Sequence, residues 1–160
     1  MKGARDAQST YFLSMKMRPN ALDQYLATAR STLMRLEPAD AYAAIQSGAL
    51  LVDIRPEFQR RRDGEVPAAI IVERNHLEWR LHPDSAARIA EATSADVQWI
   101  VLCDEGYASS LAAAVLQALG LRRATDVVGG LRAWREAGLP LRPPGEVSEP
   151  RLAPAPDSAG

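Results

Sequence analysis

Short apolar runs recur along the chain without polar alternation, and each is separated from the next by a stretch of helical character. Ala49-Leu50-Leu51-Val52-Asp53-Ile54 is the first, Ala69-Ile70-Ile71-Val72 the second, Val97 to Leu102 the third and Thr125 to Val128 a shorter last one. Runs of this kind are strands covered on both faces. Pro38 to Ile45, with Gly48 beyond it, has proline at a helix start and glycine past its end. Glu57 to Arg62 predicts a short, charged, exposed helix. The polar stretch from Asn75 to Glu91 reads as mostly helical with a break at Pro83. Ser109 to Leu119 is rich in Ala and Leu and closes at Gly120. Gly129-Gly130 opens a last helix through Trp134 to Glu136, stopped by Gly138 and Pro140. Strands alternating with helices predict a three-layer α/β domain, with a mainly parallel sheet of about five strands flanked by helices.

Two flanks complete the pattern. From Asn20, a plausible cap, Leu22, Tyr25, Leu26, Ala29 and Leu33 recur at helical spacing. They predict an amphipathic helix packed on the domain outside its sheet, or on a second copy in a homodimer. Residues 1–19 read as a loose start. The segment after Pro140 is rich in Pro, Ala, Glu and Ser, a composition that buries little apolar surface. The expected division is an N-terminal extension at 1–35, a domain at 36–141 and a disordered tail at 142–160.

Composition narrows the function classes. Nineteen basic residues against twenty acidic ones give a net charge of −1, which argues against a nucleic-acid partner. The chain has no apolar run of transmembrane length, and its start lacks the pattern of a signal peptide, so a cytoplasmic protein with no membrane partner is expected. A single cysteine forbids an internal disulfide and fits a reducing compartment. Two histidines and that cysteine show no zinc spacing, and no metal is expected.

The informative stretch is Val101-Leu102-Cys103-Asp104-Glu105-Gly106-Tyr107-Ala108-Ser109-Ser110-Leu111. A buried strand delivers a cysteine to a tight loop that feeds a helix, and ligands of open parallel sheets bind beyond the carboxyl ends of strands. Amides of such a loop and helix start create positive potential, a setting that favours a thiolate over a thiol. Gly106 allows the loop to turn its amides inward, and Ser109 and Ser110 suit a helix cap and offer hydroxyl donors. A lone cysteine read without this context is more often a small buried hydrophobe.

Four motifs in order resemble the rhodanese family over roughly Leu36 to Pro140. Asp53-Ile54-Arg55 ends the first strand, and Gly64-Glu65-Val66-Pro67-Ala68-Ala69 matches the family's next turn in part. Cys103 with Gly106 matches the catalytic loop. Gly129-Gly130-Leu131-Arg132-Ala133-Trp134, ending Gly138-Leu139-Pro140, matches the closing segment. The resemblance implies a sulfurtransferase in which Cys103 is the catalytic nucleophile and carries sulfane sulfur as a persulfide. It takes the sulfur from a small-molecule or protein donor and passes it to a thiol or cyanide acceptor, with no cofactor. Amides from Asp104 through Glu105, Gly106, Tyr107 and Ala108 to Ser109 then cradle the sulfur, and Arg55 lies nearby as a further substrate-binding residue.

Departures from the family pattern shape the expectation. Asp104 and Glu105 stand where some relatives carry basic residues; two carboxylates repel a dianion and oppose thiolate formation. They read against thiosulfate and for a neutral or cationic persulfide carrier or a protein donor, unless they point to solvent. Ala108 stands at a position that is often Arg, Thr or Ser. Ser109 stands where related phosphatase loops need an arginine to clamp an oxyanion, which disfavours a phosphatase. Glu65 and Ala68 replace a histidine and a glycine of the turn. Asp53 and Arg55 read first as an ion pair that holds the strand end, and Arg60-Arg61-Arg62 as a solvated helix face. Trp134, Trp79 and Trp99 read as core or subunit contacts, Tyr107 as a pocket wall or a shield, and His76 and His82 as surface residues. Two alternatives stay open: a non-catalytic rhodanese-like binding or regulatory module, and a redox-sensing thiol.

Overall fold

The computed structural model describes residues 20–152. The apolar runs form four strands, β1 Leu50–Asp53, β2 Ile70–Ile71, β3 Trp99–Leu102 and β4 Thr125–Asp126. They make one fully parallel sheet in the order β2-β1-β3-β4. About five strands were expected and four form. The place beside β4 is held by a single parallel bridge between Leu36 and Val127. The Leu36 amide donates to the Asp126 carbonyl at 3.0 Å, and the Val128 amide donates to the Leu36 carbonyl at 2.9 Å. Pro38, which lacks an N–H, begins a helix at once, so this edge cannot extend.

The helices are α1 Ala21–Arg30, α2 Pro38–Gln46, α3 Glu57–Asp63, α4 Leu77–Leu81, α5 Ala108–Ala118 and α6 Gly130–Glu136, with a 3₁₀ turn at Arg74–His76 before α4. Side-chain alternation along the strands sorts the core into two layers. Val52, Ile54, Trp99, Val101 and Cys103 face α5 and α4, packing on Leu77, Leu81, Ala112, Ala113 and Leu116. Leu51, Ile100 and Leu102 face α2 and α6, packing on Ala41, Leu131 and Trp134. The period of two therefore places Cys103 on the α5 face. Trp134 and Trp99 are core, as read from the sequence, whereas Trp79 is 59% exposed.

Several local expectations change. The polar stretch after Asn75 is helical only to Leu81; beyond it Pro83 and the turn at Ser85 lead the chain to Ile89, whose amide donates to the Arg80 carbonyl. His82 is half-buried, and its Nε2 lies 3.0 Å from the Leu119 carbonyl. In α1 the Asn20 side chain caps the Asp23 amide at 2.8 Å as predicted, and the helix packs on α5. Its apolar stripe is covered only in part: Leu26 and Ala29 are half-buried and Leu33 joins the core, while Leu22 and Tyr25 stay exposed.

Arg60 is not on a solvated face. It is 1% exposed and donates to the Arg55 carbonyl, to Glu65 Oε1 and to the Ser148 carbonyl, while Arg61 and Arg62 do face solvent. Glu65 is buried as well and receives the Ser148 amide at 2.7 Å; its carbonyl receives the Arg142 amide at 2.7 Å. The Arg151 amide donates to Ile71 at the free edge of β2. Residues 142–152, expected to be disordered, are thus strapped to the domain, because buried Glu65 and an unpaired sheet edge supply acceptors that composition does not disclose. The remaining tail and the loose start lie outside the described residues.

Candidate functional site

The chain passes from β1 to β2 on one side and then to β3 on the other. The carboxyl ends of β1 and β3 are therefore followed by loops that diverge, and a crevice opens between them. β1 delivers Ile54, Arg55 and Pro56 to it, and β3 delivers Cys103. A cavity of about 400 Å³ occupies the crevice. Its walls add Gln59 and Arg74 on one side and Asp104, Glu105, Tyr107 and Ala108 on the other. Gly106 and Ser109 do not line the cavity, but their amides reach the sulfur itself.

Cys103 is 7% exposed and opens onto this cavity. The Gly106 amide donates to Sγ at 3.1 Å and the Ser109 amide at 3.3 Å; the thiol itself donates to Ser109 Oγ at 3.2 Å. The convergence depends on backbone that only glycine adopts without strain. Gly106 has φ +84°, and a Cβ there would meet the Gly129 nitrogen at 2.8 Å and the Val127 carbonyl at 3.1 Å. Gly130 fixes the other half of the loop. It approaches so closely that a Cβ would lie 2.5 Å from the Cys103 carbonyl, and the Leu131 and Arg132 amides take the Cys103 and Asp104 carbonyls at 2.9 and 3.2 Å. With those carbonyls turned outward, later amides of the loop turn toward sulfur.

Ser109 and Ser110 do not cap α5. Both hydroxyls donate to Asp126 Oδ2 at 2.8 Å. Asp126 is fully buried and also receives Arg35 through Nε at 2.8 Å and Nη2 at 3.2 Å. Arg30 and Arg35 both donate to the Gly106 carbonyl. Asp126, Arg30 and Arg35 were not singled out from the sequence. The available signal was an aspartate inside a short buried strand, where a charge must be paired, with one arginine at the end of a helix bound for the domain surface and another in the segment that follows it.

The loop carboxylates share a guanidinium and are compensated in part, one buried oxygen of Asp104 having no hydrogen-bond partner among the described residues. Arg132 reaches Glu105 at 2.8 Å and Asp104 at 3.3 Å, with Arg62 3.8 Å from Asp104. Asp104 is mostly shielded, so it does not point freely into solvent, and its repulsion of an anion is offset by a cation on the same loop face. Below it Asp63 is held under the ordinary carboxylate value of 3.8, chiefly because Arg62 donates to it, with Arg135 and Arg55 also nearby. Arg55 forms the expected ion pair with Asp53, Nη2 to Oδ2 at 2.7 Å, with both side chains fully buried. A second bond from Nη2 ties it to the Gly64 carbonyl at 2.8 Å, while its buried Nη1 has no partner. Tyr107 is a cavity wall, half-exposed, with the Arg30 guanidinium 5.6 Å from its ring centroid.

Comparison with known proteins agrees with the geometry. The family profile for the rhodanese-like domain matches residues 37–137. Thiosulfate sulfurtransferase GlpE of Pseudomonas syringae is 33% identical over 103 residues, which are 63% of this chain and 86% of that protein. The GlpE of Pseudomonas entomophila is 30% identical over 121 residues, 74% of this chain and 95% of its own. A solved Rhodopseudomonas palustris protein of unknown function, described as a possible tyrosine phosphatase, is 32% identical and superposes with a TM-score of 0.69 over 79% of this chain and 97% of its own.

Proposed function

Because the chain belongs to the rhodanese-like domain family, we propose that it is a sulfurtransferase that carries sulfane sulfur as a persulfide on Cys103. The observation that carries this reading is the pair of backbone amides, from Gly106 and Ser109, converging on Sγ at the mouth of a cavity. Donors aimed in advance at a site of negative charge stabilise that charge without reorganising. They serve the attacking thiolate and the sulfur chain that replaces it.

With thiosulfate as donor, the Cys103 thiolate attacks the sulfane sulfur. A new S–S bond forms, the old one breaks, and sulfite leaves with the electron pair. An acceptor thiolate or cyanide then attacks the outer sulfur and returns Cys103 as thiolate. Arg132 offsets part of the charge of Asp104 and Glu105, which supports entry of an anionic donor. The cavity also has room for organic persulfides larger than thiosulfate. A phosphatase reading lacks its clamp: Ser109 stands at that place, and the hydrogen bonds of Arg30 go to Ser110 and the Gly106 carbonyl.

Intact mass after exposure to thiosulfate, glutathione persulfide or a polysulfide tests the proposal. Gain of one sulfur atom, absent in Cys103→Ser and discharged by cyanide as thiocyanate, is expected. No added sulfur from any of these donors overturns it.

A further inference from the structure

We propose that Arg30 and Arg35, which precede the family-matched residues, are positioning residues for Cys103: together they pin the Gly106 carbonyl and so hold the loop amides on the sulfur. The inference rests on the reading of Cys103 as nucleophile. It concerns the segment before residue 37, where the family profile does not reach.

A glycine at φ +84° is freer to move than any other residue, yet its amide is one of only two backbone donors on Sγ among the described residues. Its carbonyl is surrounded by donor groups. The two that hold it firmly are guanidinium groups, Arg30 Nη2 at 2.7 Å and Arg35 Nη2 at 3.1 Å; Ser110 Oγ lies near at 3.2 Å, but its one proton is directed at Asp126 at the shorter 2.8 Å. A carbonyl so held cannot rotate without breaking two charge-assisted bonds. The same two arginines reach the second donor. Arg35 pairs with fully buried Asp126, which takes the hydroxyls of Ser109 and Ser110. Arg30 donates through Nε to Ser110 Oγ at 3.0 Å.

The two cations differ in electrostatic effect. Arg35 is paired with Asp126, whereas among the described residues the hydrogen bonds of Arg30 go to neutral acceptors. Arg30 thus brings positive charge to the loop that carries the sulfur, and its guanidinium also lies over Tyr107 at the cavity wall. The extension is in this way a structural part of the site, not an appendage to it.

The test uses the full chain, in which Cys103 is the sole thiol and alkylation is unambiguous. Iodoacetamide alkylation is followed against pH in the native protein, in Arg30→Met and in Arg30→Lys, with a thermal melt and sulfur loading measured alongside. Arg30→Met is expected to alkylate about tenfold more slowly at neutral pH, equal to about 1.4 kcal/mol, with its pH profile displaced to the alkaline side. Arg30→Lys, which keeps the charge but not the fork, recovers part of the rate. If Arg30→Met loses its cooperative melt, Arg30→Gln, which keeps an amide donor without the charge, carries the same comparison. An alkylation profile that coincides with that of the native protein in a folded variant overturns the inference. Sulfur loading by native protein together with such a profile would leave the sulfurtransferase reading intact. Failure of the native protein to load sulfur overturns that reading alone, because alkylation needs no sulfur donor.

Discussion

Gly106→Ala puts the loop geometry to its hardest test. Alanine at φ +84° occupies the left-handed region, at a cost of about 1–2 kcal/mol for an L-residue. Its Cβ would stand 2.8 Å from the Gly129 nitrogen and 3.1 Å from the Val127 carbonyl, both backbone atoms that no rotamer change can clear. The loop must shift by some tenths of an ångström, and overpacking of this kind adds about 1–3 kcal/mol. The expected loss of stability is therefore about 2–5 kcal/mol, a fall in melting temperature of roughly 6–25 °C for a domain of this size. The shift also carries the Gly106 amide away from Sγ. Loss of one preorganised donor of an oxyanion hole slows catalysis by about 10²–10³-fold, so sulfur loading should slow by about 10²-fold even well below the melt. Urea denaturation gives the first quantity and stopped-time mass measurement of the Cys103 adduct the second. A variant that loses stability but loads sulfur at the native rate would refute the claim that this amide serves the reaction. One that keeps native stability would refute the backbone geometry itself.

Three further outcomes follow from the surroundings of the loop. Arg132→Met leaves Asp104 and Glu105 without their shared cation, so KM for thiosulfate should rise about tenfold, while a neutral organic donor such as a trisulfide changes little; equal effects on both donors would refute the electrostatic account. Glu65→Ala removes the carboxylate from buried Arg60 and the acceptor from the Ser148 amide, and should cost about 2–4 kcal/mol in urea denaturation and open residues 142–152 to limited proteolysis; a protected tail would contradict the strap. The carboxyl of Asp63 lies below its unfolded value of 3.8 because Arg62 donates to it. Its contribution to stability is complete above pH 3.8 and is lost as pH falls through the lower folded value, so Asp63→Asn should flatten the acid limb of a stability–pH curve, and an unchanged limb would show the pair to be inconsequential.

The layers of the fold were legible because burial on both faces leaves a strong mark. A strand enclosed on both sides has no polar alternation, and the runs at β1 and β3 contain little else but Leu, Val, Ile and Trp. The strand count was less legible. The Leu36 bridge makes two hydrogen bonds and has no apolar run of its own, since Glu37 and Pro38 follow it directly. The tail failed for a related reason. Its hold on the domain is made by backbone amides of Arg142, Ser148 and Arg151, and no side-chain pattern announces a backbone donor.

The site divides along the same line. Cys103, Gly106 and the Gly129-Gly130 pair were visible because each is a residue type the geometry demands: a thiol, a left-handed turn, a contact with no room for Cβ. Charge could be counted but not paired. From the sequence, Asp104 and Glu105 are two negative charges beside a nucleophile; in the fold their partner Arg132 lies one helix start away, brought there because Gly130 seats α6 against the Cys103 and Asp104 carbonyls. Asp126 was hidden more deeply, since its partners come from α5 and from the chain before the domain, and neither lies near it in sequence. A buried carboxylate is tolerated only when its acceptors are filled, and here Arg35 and two serine hydroxyls fill them. Once those partners are counted, the loop that presents Cys103 rests on the α1 segment as much as on the sheet. A domain cut at residue 37, with buried Asp126 deprived of Arg35, would be expected to unfold at lower urea and to lose the alignment of its sulfur cradle, read as slower alkylation of Cys103; a cut domain with native stability and alkylation rate would contradict this.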